Sequence, residues 1–277
     1  MSTKYRLLED RRGDVGIIIE DDILLDVGED VTDLIIPDSV QEIVDSCCAN
    51  HSNLASVKVG NNVRDIGKKA FMDCQDAGFL IDFKNIVTLG AWAFGKCAGL
   101  PQNIVFSNKL IKLGHYCFYC AASLKSVVFE GQLDSLPDSV FCGAIKLSNI
   151  VLPKNLKLID DMAFFNCPSL KEIELPNTIQ EIRFSAFDSS GLTHIELPEG
   201  LITIGSEIFM DCAELSEVSI PSTLRHLSDN MFYNCKKLKQ IHYAGTKDEW
   251  NALSKSPVWD KNTGRYMIHC VDGTIYK

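Results

Sequence analysis

The 277-residue chain contains no apolar run of about 18 residues, the length a helix needs to cross a bilayer, so no membrane insertion is expected. Cations are in deficit: Lys+Arg number 27 against 37 Asp+Glu, a net charge of -10. The chain therefore lacks the basic footprint of a nucleic-acid binder or of a protein held on anionic lipid. No glycine-rich loop joins a strand to a helix, so there is no phosphate cradle. None of the six histidines (His51, His115, His194, His226, His242 and His269) has a Ser or Cys partner that suggests a nucleophile. Met1–Arg12 is charged throughout and has no apolar core of a secretory leader. Cysteine, in contrast, is plentiful, with eleven residues. Without a leader, reduced and buried thiols in a cytoplasmic protein are expected; a secreted or cell-surface location is the alternative. A hydrophobic content of 46% and 23% charged residues exclude a disordered chain.

What the sequence does contain is a period. Phe71, Phe94, Phe118, Phe141, Phe164, Phe187, Phe209 and Phe232 follow one another at 23, 23, 24, 23, 23, 22 and 23 residues, and Cys48 stands one period before the first. Small or medium apolar residues precede each ring (Ala70, Ala93, Cys117, Val140, Ala163, Ala186, Ile208, Met231). Cys74, Cys97, Cys167, Cys212 and Cys235 come three residues after it. The unit reads LxxIxLPxxLxxIGxxAFxxCxxL. A fixed period of this length marks a repeat array whose coils bury a shared core only by stacking.

Within each unit the IxL segment alternates as a strand does. Proline closes it at Pro37, Pro153, Pro176, Pro198 and Pro221, because proline cannot donate to a continuing ladder. LxxIG is too short for a helix and fits a turn or a second short strand, and AFxxC is at most one helical turn. Strands of successive coils then form a parallel sheet at roughly 4.8 Å spacing. Three regions are expected: an N-terminal cap at 1–30, a hairpin of Val15–Ile19 and Ile23–Val27; a solenoid of about nine coils at 31–244; and a C-terminal cap at 245–277. In the last, Thr246 to Glu249 is a capping box opening a short helix through Leu253, and Asp272-Gly273 turns a final hairpin.

This unit, in nine consecutive copies from about Leu34 to Leu238, resembles the BspA-like (Treponema-type) leucine-rich repeat family. The tail segments IHYAGTKDEW (241–250) and IHCVDGTI (268–275) resemble that family's terminal module. The resemblance implies a leucine-rich repeat solenoid of the α/β horseshoe class, mostly β with short helical turns, its parallel sheet on the concave face and its ends capped. It also implies macromolecule binding without catalysis, since surface-attached bacterial members act as adhesins.

Two features invite chemical readings. The cysteine column sits where His51, Ala121, Ala144 and Ser190 also occur, and a metal ladder would not accept alanine, so the column is read as core. His115, Cys117 and Cys120, with Cys142, hold the residue types of a zinc site, but repeat packing already accounts for both Cys117 and Cys120. No catalytic residue, metal site or cofactor is expected.

The better lead is the position between the two inward residues of each strand, which faces outward. In order it reads Ile35, Lys58, Asp82, Val105, Val128, Val151, Glu174, Glu196, Ser219 and His242. In the third coil, FLIDF at 79–83 fits two registers, and a one-residue slip would place Ile81 outward instead of Asp82; Asp82 outward is preferred because Ile81 and Phe83 then both face inward. Val105, Val128 and Val151, with Glu174 and Glu196 beside them, make an apolar strip with an acidic margin, the expected partner-binding residues. Valine is also simply a good strand residue. The expectation is a non-catalytic module that binds a protein, or a second copy of itself, through this face. A secreted or surface adhesin for host macromolecules is the alternative, and a metal protein or enzyme the least supported reading.

Overall fold

A computed structural model describes residues 6–9 and 15–277, with side chains from Gly16 onward. The reading of Met1–Arg12 therefore falls mostly outside the described residues. The chain divides into two compact units, residues 1–131 with 143–145, and residues 132–142 with 146–277.

In the first unit each coil contributes a strand of three or four residues and, after the turn, a second strand of two. Asp33–Ile35, Ser56–Lys58 and Gly78–Leu80 form one parallel ladder, and Asn103–Phe106 pairs with Ser126–Phe129 in another. The LxxIG stretches take the strand alternative: Glu42–Ile43, Asp65–Ile66, Thr88–Leu89 and Lys112–Leu113 pair in parallel, one per coil. The expected hairpin is present, Val15–Glu20 against Ile23–Val27. It turns through Asp21 and Asp22 at φ 48° and 64°, the left-handed pair that a two-residue hairpin requires. Ile23–Val27 continues into the two-residue ladder, and Arg6–Glu9 adds an antiparallel strand that the sequence pattern did not show.

The second unit repeats the plan. Ser135–Leu136, Leu158–Ile159, Glu181–Ile182 and Thr203–Ile204 form the short ladder. His194–Glu196, Glu217–Ile220, Gln240–Tyr243 and Met267–Cys270 form the long one, closed by antiparallel Gly273–Tyr276.

Phenylalanine occupies the centre of eight successive coils, and Cys48 takes that place in the coil before them. All eight column members have 0% exposure. In the first unit Phe71, Phe94 and Phe118 stack nearly parallel at 5.4 and 5.9 Å. In the second unit Phe141, Phe164, Phe187, Phe209 and Phe232 stack at 5.3–5.8 Å. Each burial removes a large apolar surface from water, worth about 1.5–3 kcal/mol. The last ring meets Trp259 edge-on at 5.9 Å, and Trp259 meets Trp250 of the helix Lys247–Ala252. That helix carries the expected reciprocal cap: the Glu249 N–H donates to Thr246 Oγ1, and the Thr246 N–H donates to the Glu249 carboxylate at 2.7 Å.

Three sequence expectations are corrected. The AFxxC stretch is not helical. Residues two before and two after each Phe adopt positive φ, as in Lys69 and Asp73, Met162 and Asn166, or Asn230 and Asn234, and fold the chain into paired left-handed turns. The backbone there joins a third ladder, in which the Phe71 N–H donates to Ala93 O and the Phe164 N–H to Ala186 O. Second, Asp82 does not belong to the outward column. Phe79 pairs with Val57 as the inward residue, so Leu80 points outward at 66% exposure. Asp82 instead accepts the Lys84 N–H at 3.0 Å and caps a single turn of 3-10 helix, Phe83–Asn85. Third, Lys171–Leu175 forms no strand, although Ile173 is buried between exposed Glu172 and Glu174. The turn that follows it, at Gly191, is one residue shorter than its neighbours. An added Cβ on Gly191 would lie 2.1 Å from Pro168 O, so only glycine fits there.

Candidate functional site

The cysteine column is structural. Its thiols donate to main-chain carbonyls one coil back: Cys74 to Cys48 O at 3.0 Å, Cys97 to Phe71 O at 2.9 Å, Cys212 to Phe187 O at 3.1 Å and Cys235 to Phe209 O at 2.9 Å. His51, in the same slot, places Nε2 2.9 Å from Val27 O. Most members of the column thus combine a fit to the interior with a side-chain hydrogen bond, while Ala121 and Ala144 fill the slot without one. Burial pushes the Cys74 thiol up to about 11 and the Cys212 thiol up to about 12, and drives Cys97, Cys117 and Cys235 upward as well. Such thiols stay protonated and unreactive. His115 is exposed while Cys117 is wholly buried, so they do not converge. Among the described residues no three His, Cys, Asp or Glu side chains are placed to hold a metal ion.

The outward strand face is the candidate interface. In the first unit the column holds Ile35 at 61% exposure, Lys58 and Leu80, with Asp33 and Ser56 in the polar column beside it, Ser56 Oγ donating to Asp33 at 2.5 Å. Val105 and Val128 face each other across their parallel pair and are half-buried. In the second unit Val151 is 48% exposed, and Glu174 and Glu196 are exposed. Glu196 lies in register with Ser219, Ser219 with His242, and His242 with His269.

That last row borders a groove of about 410 Å³. Ser219 is the small member between longer neighbours, and the hollow opens over it. Its lining includes the exposed residues Glu196, Glu199, Ala244 and Val271, with buried Leu197, Ile220 and Tyr243 behind them, and Glu196 and Glu199 stand on one side. On the other side the His242 and His269 rings stack at 5.1 Å and 21°. His242 Nε2 lies 2.9 Å from Glu217 Oε1, a close electrostatic approach without hydrogen-bond alignment. His269 Nδ1 lies 3.3 Å from Thr274 Oγ1. Burial first, and then the Glu249 carboxylate, hold the Tyr243 phenol above its usual range, with Arg225 acting in the opposite sense. The outward column legible in the sequence includes Glu196, Ser219 and His242, and the structure extends it to His269. The repeated Ile-His pair, at 241–242 and 268–269, was the signal that extended the column.

A family model of the BspA type leucine rich repeat region matches residues 27–147 and 134–253, in six copies. No curated protein matches the chain. Among solved structures, a leucine-rich repeat protein from Bacteroides ovatus superposes with a TM-score of 0.64 at 21% identity, over 96% of this chain and 77% of the other. The pneumococcal vaccine antigen PcpA superposes with a TM-score of 0.51 at 16% identity, over 95% and 82%. At these identities the likeness is one of fold. Among the described residues no helix is long and apolar enough to cross a membrane.

Proposed function

The chain belongs to the BspA-type leucine-rich repeat family, and from that premise we propose that it is a non-catalytic module that binds a protein partner through the outward face of its long strands. The observation that carries this reading is the exposure of large apolar residues on that face: Ile35 and Leu80 in the first unit, Val151 in the second. Each points away from the phenylalanine column, so core packing does not account for its exposure. Glu174 and Glu196 supply a charged margin of the kind that sets orientation and partner choice more than affinity.

The test compares partner capture by the wild type with capture by Ile35→Asp and Val151→Asp. Ile202→Asp is the control, at an equally exposed apolar residue outside the long strands. Loss in the first two with retention in the control is the expected result. Equal capture by all three removes the strand face as the interface. Sedimentation of the same variants separates a second copy of the chain from a foreign partner.

A further inference from the structure

We propose that the groove over Ser219 receives an arginine side chain from an extended segment of the partner. The inference rests on the strand-face reading above and gives that face a specific chemistry. Ala244 and Val271, the exposed apolar residues of its lining, offer surface to the aliphatic stem of such a side chain. The Glu196 and Glu199 carboxylates at the rim have no hydrogen bond or ion pair among the described residues, so both are available to a cation. Arg225, the cation that acts on Tyr243, forms no ion pair among those residues either. Opposite the carboxylates, His242 and His269 present a stacked pair of planar rings, the kind of surface on which a guanidinium packs. At the ordinary strand spacing, Glu196 and His242 are about 10 Å apart across Ser219. Arginine fits better than lysine because it pairs with carboxylates through two parallel N–H groups and stacks on rings, where an ammonium is a point charge.

The experiment uses the full chain and a fluorescein-labelled pentapeptide bearing one arginine, with counterparts bearing lysine or citrulline, read by fluorescence anisotropy. Arginine is expected to bind about five-fold more tightly than citrulline, the size of one good exposed charge pair, with lysine between them. Glu196→Gln combined with Glu199→Gln abolishes that preference. Glu172→Gln, on the same face outside the groove, preserves it. Ser219→Phe fills the hollow without changing charge and removes binding of all three peptides. Equal binding of citrulline and arginine overturns the proposal, and so does lysine binding as tightly as arginine. An equal loss in Glu172→Gln reduces it to diffuse attraction, and undiminished binding by Ser219→Phe removes the groove. If no peptide binds while Val151→Asp still abolishes partner capture, the arginine assignment falls alone. If Val151→Asp also has no effect, the strand-face reading falls with it.

Discussion

At the scale of single residues, two positions give measurable consequences. Phe164 is wholly buried between Phe141 and Phe187, at 5.7 and 5.3 Å. Phe164→Ala leaves a cavity that the flanking rings cannot close, and urea unfolding should show a loss of about 3–5 kcal/mol. Asp188 occupies the slot just after its Phe, where other coils place Met72, Tyr119 or Met210. Burial raises its carboxyl to about 6, helped by Asp211 and Glu207 and opposed by the Ser189 hydroxyl, which donates at 2.7 Å. The folded chain therefore holds this proton more tightly than the unfolded chain does. The stabilisation is complete below about pH 4 and is lost as pH rises through about 6. Asp188→Asn should stabilise the protein at pH 7.5 by on the order of 2 kcal/mol and have little effect at pH 4, as calorimetry at both values would show. The residue scale also explains why cysteine recurs three places after Phe. The sequence revealed a small, buried column, but the bonds from Cys thiols and the His51 ring to main-chain carbonyls needed coordinates.

At the scale of elements, the coil was legible wherever one hydrophobic pattern fitted a single register, and illegible where several fitted. The run FLIDF alternates acceptably in more than one frame, so composition alone could not place Leu80 outside and Asp82 on a cap. The unpaired segment Lys171–Leu175 has a faultless IxL pattern, and the coil after it is one residue shorter than its neighbours, a change of spacing that the pattern of the segment itself does not reveal. The groove is not legible in the sequence because Ser219 has the pattern of an ordinary polar strand residue, and a hollow exists only relative to long neighbours. Because the long strands turn these residues away from the core, Val151→Asp should leave the thermal midpoint within about 2 °C of wild type, in keeping with the small effect of surface substitutions. Thiol labelling tests the interior directly. Cys120 and Cys270 are half-exposed, whereas the other nine cysteines are buried. Ellman's reagent should modify those two under native conditions and the remainder only on unfolding.

At the scale of the whole molecule, the periodic phenylalanines were the clearest statement in the sequence, since stacking fixes one large ring per coil at nearly constant intervals. The tail was harder to place. His269 follows His242 by 27 residues rather than 23, because the helix Lys247–Ala252 is inserted between the two strands. That helix and Trp259 cover the last ring, so removal of residues 245–277 should expose Phe232 and produce a soluble-to-aggregated shift in light scattering on mild warming. The edge-on indole has an evolutionary corollary. A ring set at 70° to its neighbour offers no flat surface on which another phenyl can lie, so Trp259 acts as a terminator for the array. A lineage that lengthens this protein by duplicating coils must splice them in ahead of that tryptophan, leaving the tail as the one portion that repeat expansion cannot copy past.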